Sequence, residues 1–225
     1  MSEGSVSVFD EFASSGRIWY RQCVPPEELK KLDELFERDK GVGSRIGVGS
    51  ALHEAVGGLS LNTMLQRHWP KVKPVRIVSF DKSGETNWAL PWHQDRVIAV
   101  KEKCDVPGYT NWTRKPGIWH CEPPVEVLQN MLFVRLHLDD CDSENGAMEI
   151  ALGSHSGGMI PGDQVAGVAE ACQHEVTEAK RGDVLVLSMM TLHRSGASKV
   201  TDNRRVLRID FNADALPEPL EWAYG

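Results

Sequence analysis

The chain has 225 residues, 41% of them hydrophobic, and a formal charge of −7 from 25 basic and 32 acidic side chains. This apolar content excludes a disordered chain, and the acidic balance argues against nucleic acid as a partner, because such binding rests on neutralised phosphates. No window approaches 18 consecutive apolar residues, so no membrane span is expected, and a length of this order fits one large domain better than two.

At the start of the chain, residues 1–4 lack the basic and apolar stretches of a secretory leader. The five cysteines are odd in number and none forms a Cys-x-x-Cys pair, which fits a reducing compartment and an expected cytoplasmic location. Pro25 and Pro26 open a predicted helix that runs through Phe36, with Leu29, Leu32, Leu35 and Phe36 at helical spacing. Gly41 and Gly43 are expected to end it. A second short helix is predicted over 60–68, closed by Pro70.

From residue 74 the texture becomes that of strands. Residues 75–80, 131–138, 147–152, 183–187 and 204–211 are short and rich in β-branched or large apolar side chains. Turn signals separate them, among them Glu144-Asn145-Gly146 and Arg181-Gly182-Asp183. Helices followed by short strands predict helices packed on one face of a mostly antiparallel β sandwich or barrel. Residues 101–130 interrupt this pattern with four prolines and with Tyr109, Trp112, Trp119 and His120. The segment is read as a lid-like insertion over a cavity mouth, with Trp112, Trp119 and His120 as substrate contacts; a flap that merely packs on the sandwich, or a dimer contact, is the plainer alternative.

A His and an Asp two apart on a strand point to one face and can grip one metal ion. Two such triplets occur, His93-Gln94-Asp95 and His137-Leu138-Asp139. The C-terminal context raises the odds of a metal site: a strand over 183–187 leads to His193, and Arg204 follows eleven residues later. Two His and one carboxylate make the facial triad of non-haem iron(II) oxygenases, and an arginine nearby offers a planar fork for a distal carboxylate. On the strand over 131–138, Phe133, Arg135 and His137 share one face; His137 is read as lining the substrate side of a polar cavity, with a solvated outer face as the alternative. On the last strand, Arg205, Leu207, Ile209 and Phe211 share one face and Arg204, Val206, Arg208 and Asp210 the other. The apolar face should pack beneath the helices and leave Arg204 toward the cavity, with Arg205 as its rival.

Taken together, the pieces resemble the phytanoyl-CoA dioxygenase family of iron(II)/2-oxoglutarate oxygenases. The matching stretches are 92–95, 138–150, Gly153-Ser154-His155, Gly182-Asp183-Val184-Leu185, 193–196 and Arg204, in the family's order. The resemblance implies a double-stranded β-helix, a jelly roll filling residues 1–225 as one domain. It implies Fe(II) held by His93, Asp95 and His193, the C5 carboxylate of 2-oxoglutarate on Arg204, and cosubstrate contacts from Gln94 and Ser195. Arg135 matches a further position that touches the cosubstrate. O2 is the co-reactant implied, with a small organic molecule hydroxylated and succinate and CO2 released. Arg194 stands where the family has Gly and Leu152 where Pro is frequent, both beside the ligands. The chain is short for the family, which implies a trimmed substrate region and a substrate other than a CoA thioester. A non-catalytic cupin-like binding protein is the alternative from another class, and a homo-oligomer is left open.

Overall fold

Strands dominate because short β-branched runs recur between turn signals, and the computed structural model arranges them in three sheets. It describes residues 7–36, 43–82, 87–200 and 204–224. Helix α1 (Val8–Ser15), strand β1 (Arg17–Tyr20), helix α2 (Pro26–Leu35), the short strand β2 (Ser44–Arg45) and helices α3 (Ala51–Gly57) and α4 (Ser60–Gln66) come first. Strands β3 (Lys73–Lys82), β4 (Leu90–His93), β5 (Ile98–Val100), β6 (Thr110–Lys115) and β7 (Ile118–Glu122) follow, then helix α5 (Val125–Gln129) and strand β8 (Leu132–His137). Strand β9 (Met148–Ala151), helix α6 (Val165–Glu170), β10 (His174–Val176), β11 (Val184–Ser188), β12 (His193–Ser195) and β13 (Arg204–Asn212) complete the chain.

The large sheet has the order β1-β11-β8-β13-β3-β2 and the small one β10-β9-β12-β4. Every strand pair is antiparallel. Take β3, β4, β8, β9, β10, β11, β12 and β13 as the first to eighth strands of one motif. The sheets then read 6-3-8-1 and 5-4-7-2, which is the strand order of a double-stranded β-helix. The predicted fold and its strands are therefore found, with small shifts at their ends.

Period-2 alternation decides which face meets what. Leu132, Val134, Leu136, Leu207, Ile209 and Phe211 turn outward and pack with Leu29 and Leu32 of α2 and with α3 and α4. Phe133, Leu185 and Leu187 turn inward, where they share a second core with Met148 and Ile150 of the small sheet. Helix α2 begins with Pro26 in its first turn, where proline's missing N–H costs nothing, and ends at Phe36. Gly41 lies outside the described residues. The turn before β9 needs Gly146: its φ is +77°, and a Cβ there would lie 2.9 Å from Lys82 Nζ and 3.0 Å from the Gly196 carbonyl.

Residues 101–130 are not an irregular loop. Strands β5, β7 and β6 form a third, three-stranded sheet between the motif's second and third strands. The prolines fall in the connections and Pro124 caps α5, so they do not cost the ladder its hydrogen bonds.

Candidate metal centre and cosubstrate cavity

The ladder between β4 and β12 sets His93 directly opposite His193, with ring centroids 4.3 Å apart. Asp95 follows β4 by two residues and turns to the same side. One ligand atom from each of His93, Asp95 and His193 lies within 4.8 Å of the others, the one such group among the described residues. His93 Nδ1 lies 2.8 Å from the Pro91 carbonyl and His193 Nδ1 3.0 Å from the Thr191 carbonyl. A carbonyl only accepts, so each Nδ1 carries the proton and each Nε2 keeps a lone pair. His193 Nε2 and Asp95 Oδ2 are 3.3 Å apart. Two lone-pair donors this close call for a proton or a cation between them, and two imidazoles with one carboxylate suit a divalent transition metal.

Electrostatics keep these groups in their ligand forms. Burial, then the neighbouring His193, lowers the His93 pKa and favours the neutral imidazole. Burial pushes the Asp95 carboxyl up, but Arg208 and then His193 outweigh it and hold it well below the usual range. Arg208 is 3% exposed, pairs with Asp95, and stands over the Phe133 ring at 4.0 Å.

The triad opens on a cavity of about 190 Å³ lined by Arg45, Arg76, Arg135, Arg204 and Arg208, with Arg194 at its rim. Arg204 and Arg135 are almost fully buried, yet the hydrogen-bond partners they find are sulfurs: Cys141 Sγ at 3.7 Å for Arg204 and Met148 Sδ at 3.7 Å for Arg135. Both Nε atoms are buried without a partner. A guanidinium left this way is a donor fork awaiting an acceptor. Burial, then Arg204, pushes Arg135 down to about 9. Lys82, opposite Arg204 in the ladder, is pushed down to about 8 by burial and then by Arg204 and Arg135. A cluster of like charges at one end of a cavity fits a carboxylate ligand.

Several expected site residues are brought together: His93, Asp95, His193, Arg204, Arg135 and Ser195 all border this cavity. Arg205 takes the other face, where it binds Asp139 in bidentate fashion and Asp33 of α2 at 2.9 Å. That pairing also removes Asp139 from any metal role beside His137.

Others do not reach the cavity. Gln94 is used up by the frame: its amide donates to the Gly158 and Met190 carbonyls, both at 2.7 Å, and accepts from Ile160 N–H at 2.9 Å. His137 has the inward direction expected but does not line the cavity; its ring sits 5.9 Å from Trp19 and its Nδ1 donates to the Asp183 carbonyl. Trp112 and Trp119 meet edge to face on the three-stranded sheet, and Trp112 Nε1 donates to the Tyr109 carbonyl. His120 is buried beneath that sheet with Nδ1 on the Ile118 carbonyl. None of the three lines the cavity, but His120, whose Nε2 is buried without a partner, is within electrostatic reach of Arg76 and Arg45, which do.

Sequence reasoning missed Arg76 and Lys82 on β3 and Arg45 on β2. Arg76, Val78, Phe80 and Lys82 alternate on one strand face, so period 2 could have found the first two. Nothing marked Arg45.

A family model described as phytanoyl-CoA dioxygenase matches residues 12–206. No curated protein matches. Among solved structures, the chain is similar to AviO1 from Streptomyces viridochromogenes Tue57, at 18% identity and a TM-score of 0.63, over 92% of this chain and 94% of that one. It is similar to SnoK, a non-heme α-ketoglutarate-dependent carbocyclase from nogalamycin biosynthesis, at 14% identity and a TM-score of 0.63, over 93% and 85%. It is also similar to EctD from S. alaskensis with bound Fe, at 14% identity and a TM-score of 0.61, over 97% and 82%.

Proposed function

Since the chain belongs to the phytanoyl-CoA dioxygenase family of iron(II)- and 2-oxoglutarate-dependent oxygenases, we propose that it hydroxylates a small organic molecule, with His93, Asp95 and His193 as iron ligands and Arg204 as cosubstrate anchor. The observation that carries the reading is the His93, Asp95 and His193 cluster on one wall of a cavity whose far end holds Arg204 and Arg135 with sulfur partners alone.

Iron(II) with 2-oxoglutarate supplies the oxidising power, drawn from O2, with succinate and CO2 as the cosubstrate's products. The chain's own residues set the geometry. The Pro91 and Thr191 carbonyls hold the two imidazoles in the ligand tautomer, and Arg208 holds Asp95 ionised and fixes its orientation. Arg204, with Arg135 beside it, offers forked donors to the distal carboxylate of 2-oxoglutarate, and Ser195 borders the same space. Cysteine, methionine and phenylalanine around the arginines keep the dielectric low, which strengthens that grip.

For the hairpin within 101–130 we keep a gating part, since His120 as well as Lys115 is within electrostatic reach of arginines that line the cavity. Lys115 is within electrostatic reach of Arg45 and Arg76, both of which line the cavity.

The test is anaerobic addition of Fe(II) and 2-oxoglutarate, watched for the weak visible charge-transfer band, followed by O2 and measurement of succinate. Absence of both the band and substrate-uncoupled succinate would overturn the reading.

A further inference from the structure

The cavity holds more positive charge than the metal and cosubstrate use. Six arginines border it against one carboxylate, Asp95, among the described residues. Arg194 is paired with Glu149 at 2.8 Å. Arg76 and Arg208 share Asp210, and Arg208 also holds Asp95. Arg135 and Arg204 belong to the cosubstrate in the reading above, which leaves Arg45.

Arg45 stands on the edge strand β2, opposite Val78, in the cross-sheet row that continues through Arg208 to Arg135. Among the described residues its one hydrogen bond runs from Nη1 to the Gly43 carbonyl at 2.6 Å, and its Nε is buried with no partner. Arg76 Nε is likewise buried and unpartnered. Burial, then Arg76 and Arg208, lower the Arg45 pKa, so these cations face one another across the same space. Arg76 and Lys82, the partner of Arg204, are six residues apart on β3, or about 20 Å of strand. Like charges held together in a half-enclosed cavity are costly until an anion joins them, and they focus the field that attracts one.

We infer that Arg45 and Arg76 form a second oxyanion site, which holds a carboxylate or phosphate group of the substrate at the opposite end of the cavity from Arg204. The inference rests on the cosubstrate reading for its division of the arginines. Asp95 is within electrostatic reach of both residues, so a substrate anchored there lies beside the metal ligands. A neutral molecule would leave the buried Nε donors of Arg45 and Arg76 without an acceptor.

The experiment is calorimetric titration of the Ni(II)-loaded, 2-oxoglutarate-saturated protein with sulfate, as phosphate mimic, and with acetate, against chloride at matched ionic strength. Sulfate or acetate binds in the millimolar range, and the tighter of the two identifies the substrate's group. Arg45→Gln weakens that binding about tenfold or more, Arg45→Lys retains it within about threefold, and neither changes the Kd of 2-oxoglutarate. Oxyanion binding no better than chloride, or unaffected by Arg45→Gln, overturns the site. Oxyanion binding abolished by 2-oxoglutarate also overturns it, and with a weakened 2-oxoglutarate Kd in Arg45→Gln it shows that Arg45 serves the cosubstrate instead. If the wild-type protein binds neither metal nor 2-oxoglutarate, the proposed function fails. Sulfate titration of the metal-free protein and of Arg45→Gln then decides the oxyanion site by the same comparison.

Discussion

Arg208 spans two carboxylates: its Nη1 pairs with Asp95, and its Nε and Nη2 grip Asp210 at 2.7 and 3.2 Å. One side chain therefore ties a metal ligand to the floor of the large sheet. Arg208→Leu leaves the fully buried Asp210 with Arg76 as its remaining cation. A loss of about 3–5 kcal/mol is expected in denaturant unfolding, as for other broken buried pairs. Adding Asp210→Asn should recover part of it, so the double variant is more stable than the sum of the two single effects. Strict additivity would separate the two residues energetically.

His93→Ala should abolish stoichiometric binding of Fe(II), and of Ni(II), Co(II) or Zn(II), which such a donor set also accepts. His93 is a partly exposed cavity residue, so the melting temperature of the metal-free variant should change little. Metal analysis after dialysis reads the first effect and calorimetry the second. Asp95→Ala is a less clean probe, because it also deprives Arg208 of a partner. Full metal occupancy in His93→Ala would remove this residue from the centre.

Arg204→Ala should raise the Kd of 2-oxoglutarate about a hundredfold, roughly 3 kcal/mol. Arg205→Ala should leave that Kd nearly unchanged and instead lower stability, since Arg205 joins Asp139 to Asp33 of α2. Arg135→Leu should give a smaller loss of affinity than Arg204→Ala. Binding titrations together with unfolding curves separate these outcomes, and an Arg205→Ala effect larger than that of Arg204→Ala would reverse the assignment.

His137 should make the protein acid-sensitive. Burial, then Arg135, pushes its pKa down to about 3, so it is neutral when folded. Between the ordinary value near 6.5 and about 3, the unfolded chain binds a proton that the folded chain refuses. The stability contribution is complete above pH 6.5 and falls on acidification, by up to about 1.4 kcal/mol per pH unit. His137→Gln should be less stable at pH 7 and show a shallower decline from pH 6.5 to 5 in urea unfolding. An unchanged slope would show that the ring is not the group responsible.

For the hairpin, limited trypsin cleavage after Arg114 should slow when metal and 2-oxoglutarate are both bound, since Pro116 protects the bond after Lys115, while Trp112→Ala leaves 2-oxoglutarate affinity unaltered. Cleavage that leaves turnover untouched would free the turn from any gating part.

Much of the site was legible because period 2 is unforgiving. The sequence 204–211 already separated Arg204 from Arg205, and His93 and Asp95 shared a face by spacing alone. The order of the two sheets came from the family resemblance, since no local pattern encodes which strands become neighbours. The sheet within residues 101–130 was hidden by its prolines, which matter by place rather than by number. Helices α1 and α3 are short, and their positions are set by packing on the sheet more than by a long repeat. Arg45 was out of reach because a two-residue edge strand leaves no pattern to read.

The register of β13 binds folding and chemistry into a single condition. One face carries Leu207, Ile209 and Phe211 beneath the helices, and the other carries Arg204, Arg208 and Asp210 toward the cavity. A one-residue deletion near 203 that slid this strand would press guanidiniums into hydrocarbon and aim leucine and isoleucine at the ligands. The ladder's own irregularity falls between Asp210 and Phe211, beyond the last cavity-facing residue, where it disturbs neither set. Insertions and deletions in this strand should therefore be lethal to the enzyme as a whole, whereas a single exchange at 206, on the inward face, leaves the helical layer untouched. For laboratory evolution of specificity, β13 is a strand to be edited by substitution and never by length.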